Sequence, residues 1–304
     1  PLKQAILPEP RIINPGPGSL VVDAVQVLAA PPFLAQPQFA AVLDDLAGFF
    51  KRPIPQAAWT GEAPPGILPL VLVPLAALPQ DIPHSDELGE DGYCLRVGKV
   101  DATHEGILIA AHSLRGVYYG CQTLKQLIDL DKKTVPEVEI IDWPAFQIRG
   151  APGGPLNAKK MDLMRSLKMN FYMMSLGDIT KKELEQPLTE DQQQHLTRVR
   201  EEADKRFLIV APFASPGWGQ TEMHFADPKR CEAVQRRFAE YYACGYRQFA
   251  LMFDDLFNIG RDKLTFADDL ERFKHIGNAH RFLALEVYQG LKRLDPDNLL
   301  YVCP

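Results

Sequence analysis

Hydrophobic and polar positions along the chain follow two different patterns, and the change falls near residue 142. In the first stretch the β-branched run Leu20–Val27 predicts an extended segment that opens a sheet. Gln36–Lys51 (QPQFAAVLDDLAGFFK) sets Phe39, Val42, Leu43, Leu46, Phe49 and Phe50 at helical spacing, which predicts an amphipathic helix with one buried face. Gly92–Val100 and Gly106–Ala111 read as a pair of strands, and Ser113 stands where an N-cap would start a helix over Leu114–Leu130. The turn-prone Asp131–Pro136 (DKKTVP), followed by a short strand at Val138–Ile141, closes an α+β domain over residues 1–142.

From residue 143 strands and helices alternate. Strands are expected at Gln147–Ala151, Asn170–Met174, Phe207–Pro212, Gln248–Asp255 and Leu299–Cys303, with helices at Ala158–Lys168, Glu190–Lys205, Pro228–Cys244 and Leu270–Leu294 between them. Strands apolar on both faces imply the buried parallel sheet of an α/β domain over residues 143–304, which alternation alone leaves open between a barrel and an open sheet. The chain stops at Pro304, directly after the fifth of these strands. A parallel sheet ending there would expose an apolar edge, so further sequence is expected to follow.

Composition narrows the partners. With 46% apolar and 24% charged residues the chain has the balance of a globular protein rather than a disordered one. A net charge of −6, without a cluster of Lys or Arg, argues against nucleic acid as a partner. Gly66–Leu78 (GILPLVLVPLAAL) is too short to span a bilayer and is broken by Pro69 and Pro74, so no membrane segment is expected. The five cysteines are odd in number and lack a CxxC spacing, which makes free thiols the default. Residue 1 is Pro, which fits a removed leader and leaves a secreted, periplasmic or cytoplasmic location open, as it leaves the oligomeric state.

Candidate chemistry is sparse. No phosphate loop and no GxSxG elbow are present, and no cofactor is expected. His224 reads as a solvated loop histidine, and His275 and His280 fall on different faces of the last predicted helix, so no metal site is expected. What stands out is Asp254–Asp255, at the end of the strand RQFALMFDD. Adjacent acids after an apolar strand can serve catalysis, but they also occur in nucleotide hydrolases and in plain helix-start turns; the first of these alternatives needs the missing phosphate loop.

Several segments resemble glycoside hydrolases. Leu114–Ile128 (LRGVYYGCQTLKQLI) is similar to the last helix of the small domain that precedes the barrel in families 20 and 84, and Val138–Gly150 (VEIIDWPAFQIRG) to the linker and first barrel strand of both. Cys244–Leu256 (CGYRQFALMFDDL) resembles family 84, which pairs two aspartates where family 20 has Asp–Glu. Ala211–Gly217 (APFASPG) and Leu299–Pro304 (LLYVCP) resemble its third and fifth strands. The resemblance implies an N-terminal α+β domain followed by strands one to five of a truncated (β/α)8 TIM barrel, a carbohydrate or glycoprotein substrate, and N-acetylglucosamine release as the reaction.

It further implies substrate-assisted retention, in which the sugar's own acetamide oxygen attacks the anomeric carbon and forms an oxazoline. Asp254 would then orient the acetamide, and Asp255 would be the acid that protonates the leaving oxygen. Strict strand alternation would send these two side chains to opposite faces, so the strand is expected to stop at one of them. Gly154 matches the glycine whose carbonyl receives a sugar hydroxyl, and Asp178 keeps one acid of the motif after the second strand.

Elsewhere the chain departs from the family. Gly153, Pro155 and Leu156 replace its Glu, Phe and Tyr after the first strand, and Gly177 stands in place of the substrate-binding lysine after the second. Each missing charged contact would weaken sugar recognition by about 1–3 kcal/mol. Trp218, on the loop after the third strand, is a candidate stacking platform or a packing residue. The departures keep two alternatives in view: a non-catalytic sugar-binding or scaffold relative, and a hydrolase for another acetamido sugar or a hyaluronan-like chain. As an isolated segment of five barrel strands, the chain is expected to be inactive.

Overall fold

A computed structural model of the chain describes residues 5–78, 82–100, 104–175, 184, 186–216, 223–253 and 264–303. They fall into two compact units: one comprises Pro1–Ile148 with Leu163–Met169, the other Arg149–Asp162 with Asn170–Pro304.

The first unit is an α+β domain built on a seven-stranded mixed sheet. Its strands are β1 (Ile12–Val21), β2 (Val25–Ala29), β3 (Gln56–Ala58), β4 (Leu68–Pro74), β5 (Tyr93–Lys99), β6 (Glu105–Ala111) and β7 (Thr134–Asp142), in the spatial order β1-β7-β5-β6-β4-β2-β3. The apolar stretch that is too short for a membrane becomes β4, whose Pro69–Val73 is buried and which pairs in parallel with β2 and β6. Its two prolines tolerate this because they stand at the strand's ends, leaving Leu70–Val73 to supply the ladder. The predicted single run Leu20–Val27 is instead divided between β1 and β2, because the chain turns at Asp23 and Ala24. Thr134–Pro136, expected as a turn, is the start of β7: Pro136 pairs with Ser19 of β1 and lies beyond the part of β7 that pairs with β5.

Among the described residues this unit's longer helices are α1 (Phe39–Phe50) and α2 (Leu114–Leu127), with a single helical turn at Pro31–Leu34 beside β4. Ser113 caps α2 as expected, accepting from the amides of Arg115 and Gly116 at 3.1 and 3.2 Å. The helix lies so close to the sheet that a Cβ at Gly120 would come within 2.6 Å of the Ile109 side chain, so only glycine fits there. Beneath it sits a buried polar network. The Tyr93 hydroxyl lies 2.6 Å from Thr123 Oγ1 and donates to Asp142 at 3.0 Å, while Lys168 Nζ reaches both Tyr93 (2.8 Å) and Asp142 (2.9 Å). Burial, with Asp142 beside it, pushes the Tyr93 hydroxyl well above its ordinary value and keeps it a donor. Asp45 gathers Gln122, Lys125 and Arg165 in the same manner, so two side chains of the segment Leu163–Met169 are tied into this unit by charge.

The second unit is a partial barrel-like α/β domain with a five-stranded sheet. Strands β8 (Gly150–Gly153), β9 (Phe171–Met174), β10 (Ile209–Ala214), β11 (Gln248–Met252) and β12 (Leu299–Cys303) are parallel and lie side by side in chain order. Among the described residues the helices that follow these strands are α3 (Ala158–Ser166), whose last four residues belong to the first unit, α4 (Glu190–Asp204), α5 (Pro228–Ala243), α6 (Ala267–Phe273) and α7 (Ile276–Leu294). The first strand begins three residues later than predicted, because Arg149 is occupied by Asn170: its amide donates to Asn170 Oδ1 at 2.8 Å and its carbonyl accepts from Asn170 N at 2.9 Å. The helix expected over Leu270–Leu294 is two helices. Lys274 adopts left-handed φ (64°) and ends α6, and His275 caps α7 by accepting from Gly277 N at 3.0 Å.

The Lys168 pair gives a direct test of what holds the first unit. Lys168 and Asp142 are both buried, so replacing Lys168 with Met strands a carboxylate away from water. Lys168→Met is expected to cost about 3–5 kcal/mol, read as a lowered urea midpoint, whereas exchanging the exposed Lys132 is expected to leave the midpoint unmoved.

Candidate active site

Parallel pairing sets the C-terminal ends of β8 to β12 in one row, the edge at which α/β sheets carry their sites. Along that row stand Gly153 and Gly154, Ser175, Ser215 and Pro216, Phe253, and Cys303. Asp254 and Asp255 follow Phe253 in the chain and lie outside the described residues, as do Asp178, Gly177 and Trp218. The described part of the strand predicted to reach Asp255 ends at Met252. Phe253 remains attached to the sheet, donating its amide to the Cys303 carbonyl at 2.8 Å.

The surroundings of Phe253 are well defined. Its ring is buried and lies parallel to the His280 imidazole of α7, with centroids 4.1 Å apart and 4° between the planes; Phe225 leans against both rings at 6.3 and 5.4 Å. His280 Nε2 is buried without a hydrogen-bond partner. Burial, helped by nearby His275, lowers the pKa of this imidazole below the ordinary histidine value. A neutral ring therefore backs the residue that leads into the aspartate pair.

The loop entering α5 is tied from outside its own sequence. Asp269, fully buried at the start of α6, accepts from Phe225 N at 3.0 Å and Ala226 N at 2.6 Å. His224, expected to be a solvated loop histidine, instead stacks on Phe266 at 4.2 Å and meets Asp268 Oδ2 at 2.7 Å. That hydrogen bond holds the Asp268 carboxyl below its usual range. His224, Asp268 and Asp269 each offer a ligand atom, all within 4.8 Å of one another, but Asp269 already spends both oxygens on backbone amides. This geometry anchors a loop. Buried Arg230 of α5 does similar work at the end of β10, donating to the Pro216 carbonyl at 2.9 Å.

At the other end of the row, Gly154 is exposed, and a Cβ built on it meets nothing within 4 Å. Its carbonyl accepts from the hydroxyl of Tyr172 in β9 at 2.9 Å, and Lys160 Nζ bonds that hydroxyl at 3.1 Å and the Pro155 carbonyl at 3.2 Å. Tyr172, Lys160, His280 and Asp269 carry no local motif. In the sequence Tyr172 falls in a predicted strand, Lys160 and His280 in predicted helices, and Asp269 just before one, and it is folding that brings them to this edge.

Comparison with known proteins now bears on the geometry. Residues 3–143 match the family model for domain 2 of glycosyl hydrolase family 20, and residues 157–304 match the model described as beta-N-acetylglucosaminidase. A beta-hexosaminidase of Porphyromonas gingivalis is 42% identical over 72 residues, covering 21% of this chain and 9% of that protein. Among solved structures, the GH20 exo beta-N-acetylglucosaminidase of Vibrio harveyi, as an inactive mutant, superposes with a TM-score of 0.70 at 15% identity over 99% of this chain and 55% of its own. The GH20 beta-N-acetylhexosaminidase of Streptomyces coelicolor A3(2) gives 0.69 at 15% identity over 99% and 66%, and CpGH84B gives 0.58 at 20% over 82% and 44%. The solved likenesses establish the fold, an α+β domain followed by part of a barrel. The chain spans roughly half the length of these solved relatives and a much smaller share of the curated one.

Two measurements probe this edge. Asp269→Ala strips two amides of their acceptor and is expected to cost about 2–5 kcal/mol, with hydrogen exchange at Phe225 and Ala226 accelerating first. For His280 the folded pKa is depressed, so the unfolded chain binds the extra proton and stability falls as pH drops through the ordinary histidine value. His280→Phe keeps a ring against Phe253 and is expected to flatten that acid-side decline in denaturation curves taken between about pH 5 and 8.

Proposed function

We propose that this chain is the acid-bearing part of a retaining β-N-acetylhexosaminidase that releases N-acetylglucosamine from a carbohydrate or glycoprotein. The observation that carries this reading is Phe253, whose amide is bonded to Cys303 at the C-terminal end of β11, so that the next two residues in the chain are the aspartate pair. The matches on either side of residue 150 support the same reading, because they name domain 2 of glycosyl hydrolase family 20 and a beta-N-acetylglucosaminidase. We read residues 1–142 as the accessory domain and 143–304 as the opening part of the catalytic barrel.

In this reading Asp254 accepts from the acetamide N–H and turns the acetamide oxygen toward the anomeric carbon. Asp255 protonates the departing oxygen, then takes a proton from the water that opens the oxazoline. No cofactor or metal enters the scheme. Neighbouring carboxylates resist joint ionisation, which favours one of the pair staying protonated near neutral pH. Gly154 and Asp178 would bind sugar hydroxyls.

The Asp–Asp spelling is what favours the family 84 form of this chemistry; the first unit matches family 20, and the beta-N-acetylglucosaminidase match over residues 157–304 does not separate the two. A second reading, a sugar-binding relative without activity, is favoured by one observation: Gly153 stands where the resemblance expects an acid, and the space beside it is filled by Tyr172.

Hydrolysis of an aryl N-acetyl-β-glucosaminide by the complete protein separates the two. Asp255→Asn is expected to lower kcat by about 10²–10⁴-fold, least for the most acidic leaving groups, and Asp254→Asn to lower it for all leaving groups alike. Rates unchanged by both substitutions would rule out the aspartate mechanism; a complete protein that binds the sugar but never cleaves it would favour the second reading.

A further inference from the structure

Gly153 departs from the pattern of the resembled glycosidases by carrying no side chain, and the Tyr172 hydroxyl takes the space one would fill. A Cβ at Gly153 would lie 2.2 Å from the Tyr172 hydroxyl oxygen, so it is the missing side chain that lets this hydroxyl reach the turn after β8. There it donates to the Gly154 carbonyl at 2.9 Å. Tyr172 is itself buried, which leaves its hydroxyl little freedom to point elsewhere. Lys160 closes the arrangement, bonding the Tyr172 oxygen at 3.1 Å, the Pro155 carbonyl at 3.2 Å, and lying 5.2 Å from the tyrosine ring centroid. Two successive carbonyls of an exposed turn are thus gripped by one relay, Lys160 to Tyr172 to Gly154.

We propose that Tyr172, braced by Lys160, is a positioning residue for sugar recognition: it fixes the Gly154 carbonyl so that the oxygen's second lone pair meets a hydroxyl of the bound N-acetylhexosamine. This rests on the reading of Gly154 as a sugar contact. A carbonyl oxygen accepts two hydrogen bonds, and the Tyr172 hydroxyl takes one of them. Among the described residues Tyr172 is the side chain that donates to this carbonyl, and Gly154 is exposed with nothing within 4 Å of a Cβ built on it, so in the proposal the second lone pair serves the ligand. An exposed glycine-rich turn would otherwise sample many orientations, and holding it in advance lowers the ordering cost of binding. Tyr172 and Lys160 touch no reacting atom in this scheme and act only through the turn.

The test is a binding measurement on the complete protein, so that it does not depend on turnover. N-acetylglucosamine and its 3-deoxy and 4-deoxy analogues are titrated by calorimetry into the wild type, Tyr172→Phe, Gly153→Ala, and the double variant. Losing one positioned hydrogen bond is expected to weaken N-acetylglucosamine binding about three- to tenfold in Tyr172→Phe. Gly153→Ala should match it, because its methyl displaces the same hydroxyl, and the double variant should be no weaker than either single one. For the analogue lacking the recognised hydroxyl, Tyr172→Phe should make no difference.

Equal losses on all three sugars would mean that Tyr172 only supports the fold, and unchanged affinity in both single variants would mean that the carbonyl contacts no sugar. Either result overturns the proposal, as does a wild type that binds none of the sugars. If the expected binding pattern appears in a protein that does not hydrolyse the aryl glycoside, the positioning role stands and the enzymatic reading falls. If hydrolysis is intact while the binding pattern is absent, the reverse holds.

Discussion

The constraint on which the second unit depends is the common direction of its five strands. Parallel strands cannot be joined by tight turns, so each must be followed by a crossover, and every C-terminal end is delivered to the same edge. The pairing of Gly153 with Met174, Pro212 with Met174, and Met252 with Cys303 fixes where that edge lies. Residues distant in sequence, such as Gly154 and Phe253, therefore share it without any local signal requiring them to. What varies along the edge is only how each emerging loop is held.

Those loops are held by side chains arriving from elsewhere. Asp269 satisfies two amides of the segment before α5, Arg230 grips the carbonyl of Pro216, and the ring of His280 supports Phe253 from α7. Buried donors and acceptors are costly when unmade, so each of these contacts is favoured over water only because the rest of the fold brings the partner within about 3 Å. The His280 stack is the exception in kind. It leaves a ring nitrogen without a partner, and dispersion against two phenylalanines must offset that deficit.

The same physics decides what could be read before folding. Ser113 as a cap, an opening α+β stretch, and the β/α alternation after it were legible because they are written in local propensity and period. β4 was hidden because its prolines argue against a strand, and only its two parallel neighbours show that Leu70–Val73 is enough to carry the ladder. The break at Lys274 was hidden because a lysine at positive φ gives no compositional sign, while apolar spacing continues across it. At the candidate site, Asp254 and Asp255 stood out as a pair of adjacent acids. Tyr172, Lys160 and Asp269 did not, since their partners are 18, 12 and 44 residues away.

This difference in visibility explains why a comparison of motifs undervalues the turn after β8. Position by position, Gly153 counts as a loss of an acid and nothing more. In three dimensions the space a side chain at 153 would take is filled: a hydroxyl from the neighbouring strand occupies it and bonds the next carbonyl. This arrangement needs a small residue at 153, a tyrosine that shares its side of the sheet, and a cation to finish the tyrosine's hydrogen bonds, and all of these are present. Tyr172 is buried and has few alternative rotamers, so its hold on the turn is not easily released. The Gly154 carbonyl is thus held by a side chain of the neighbouring strand rather than by one on the turn itself.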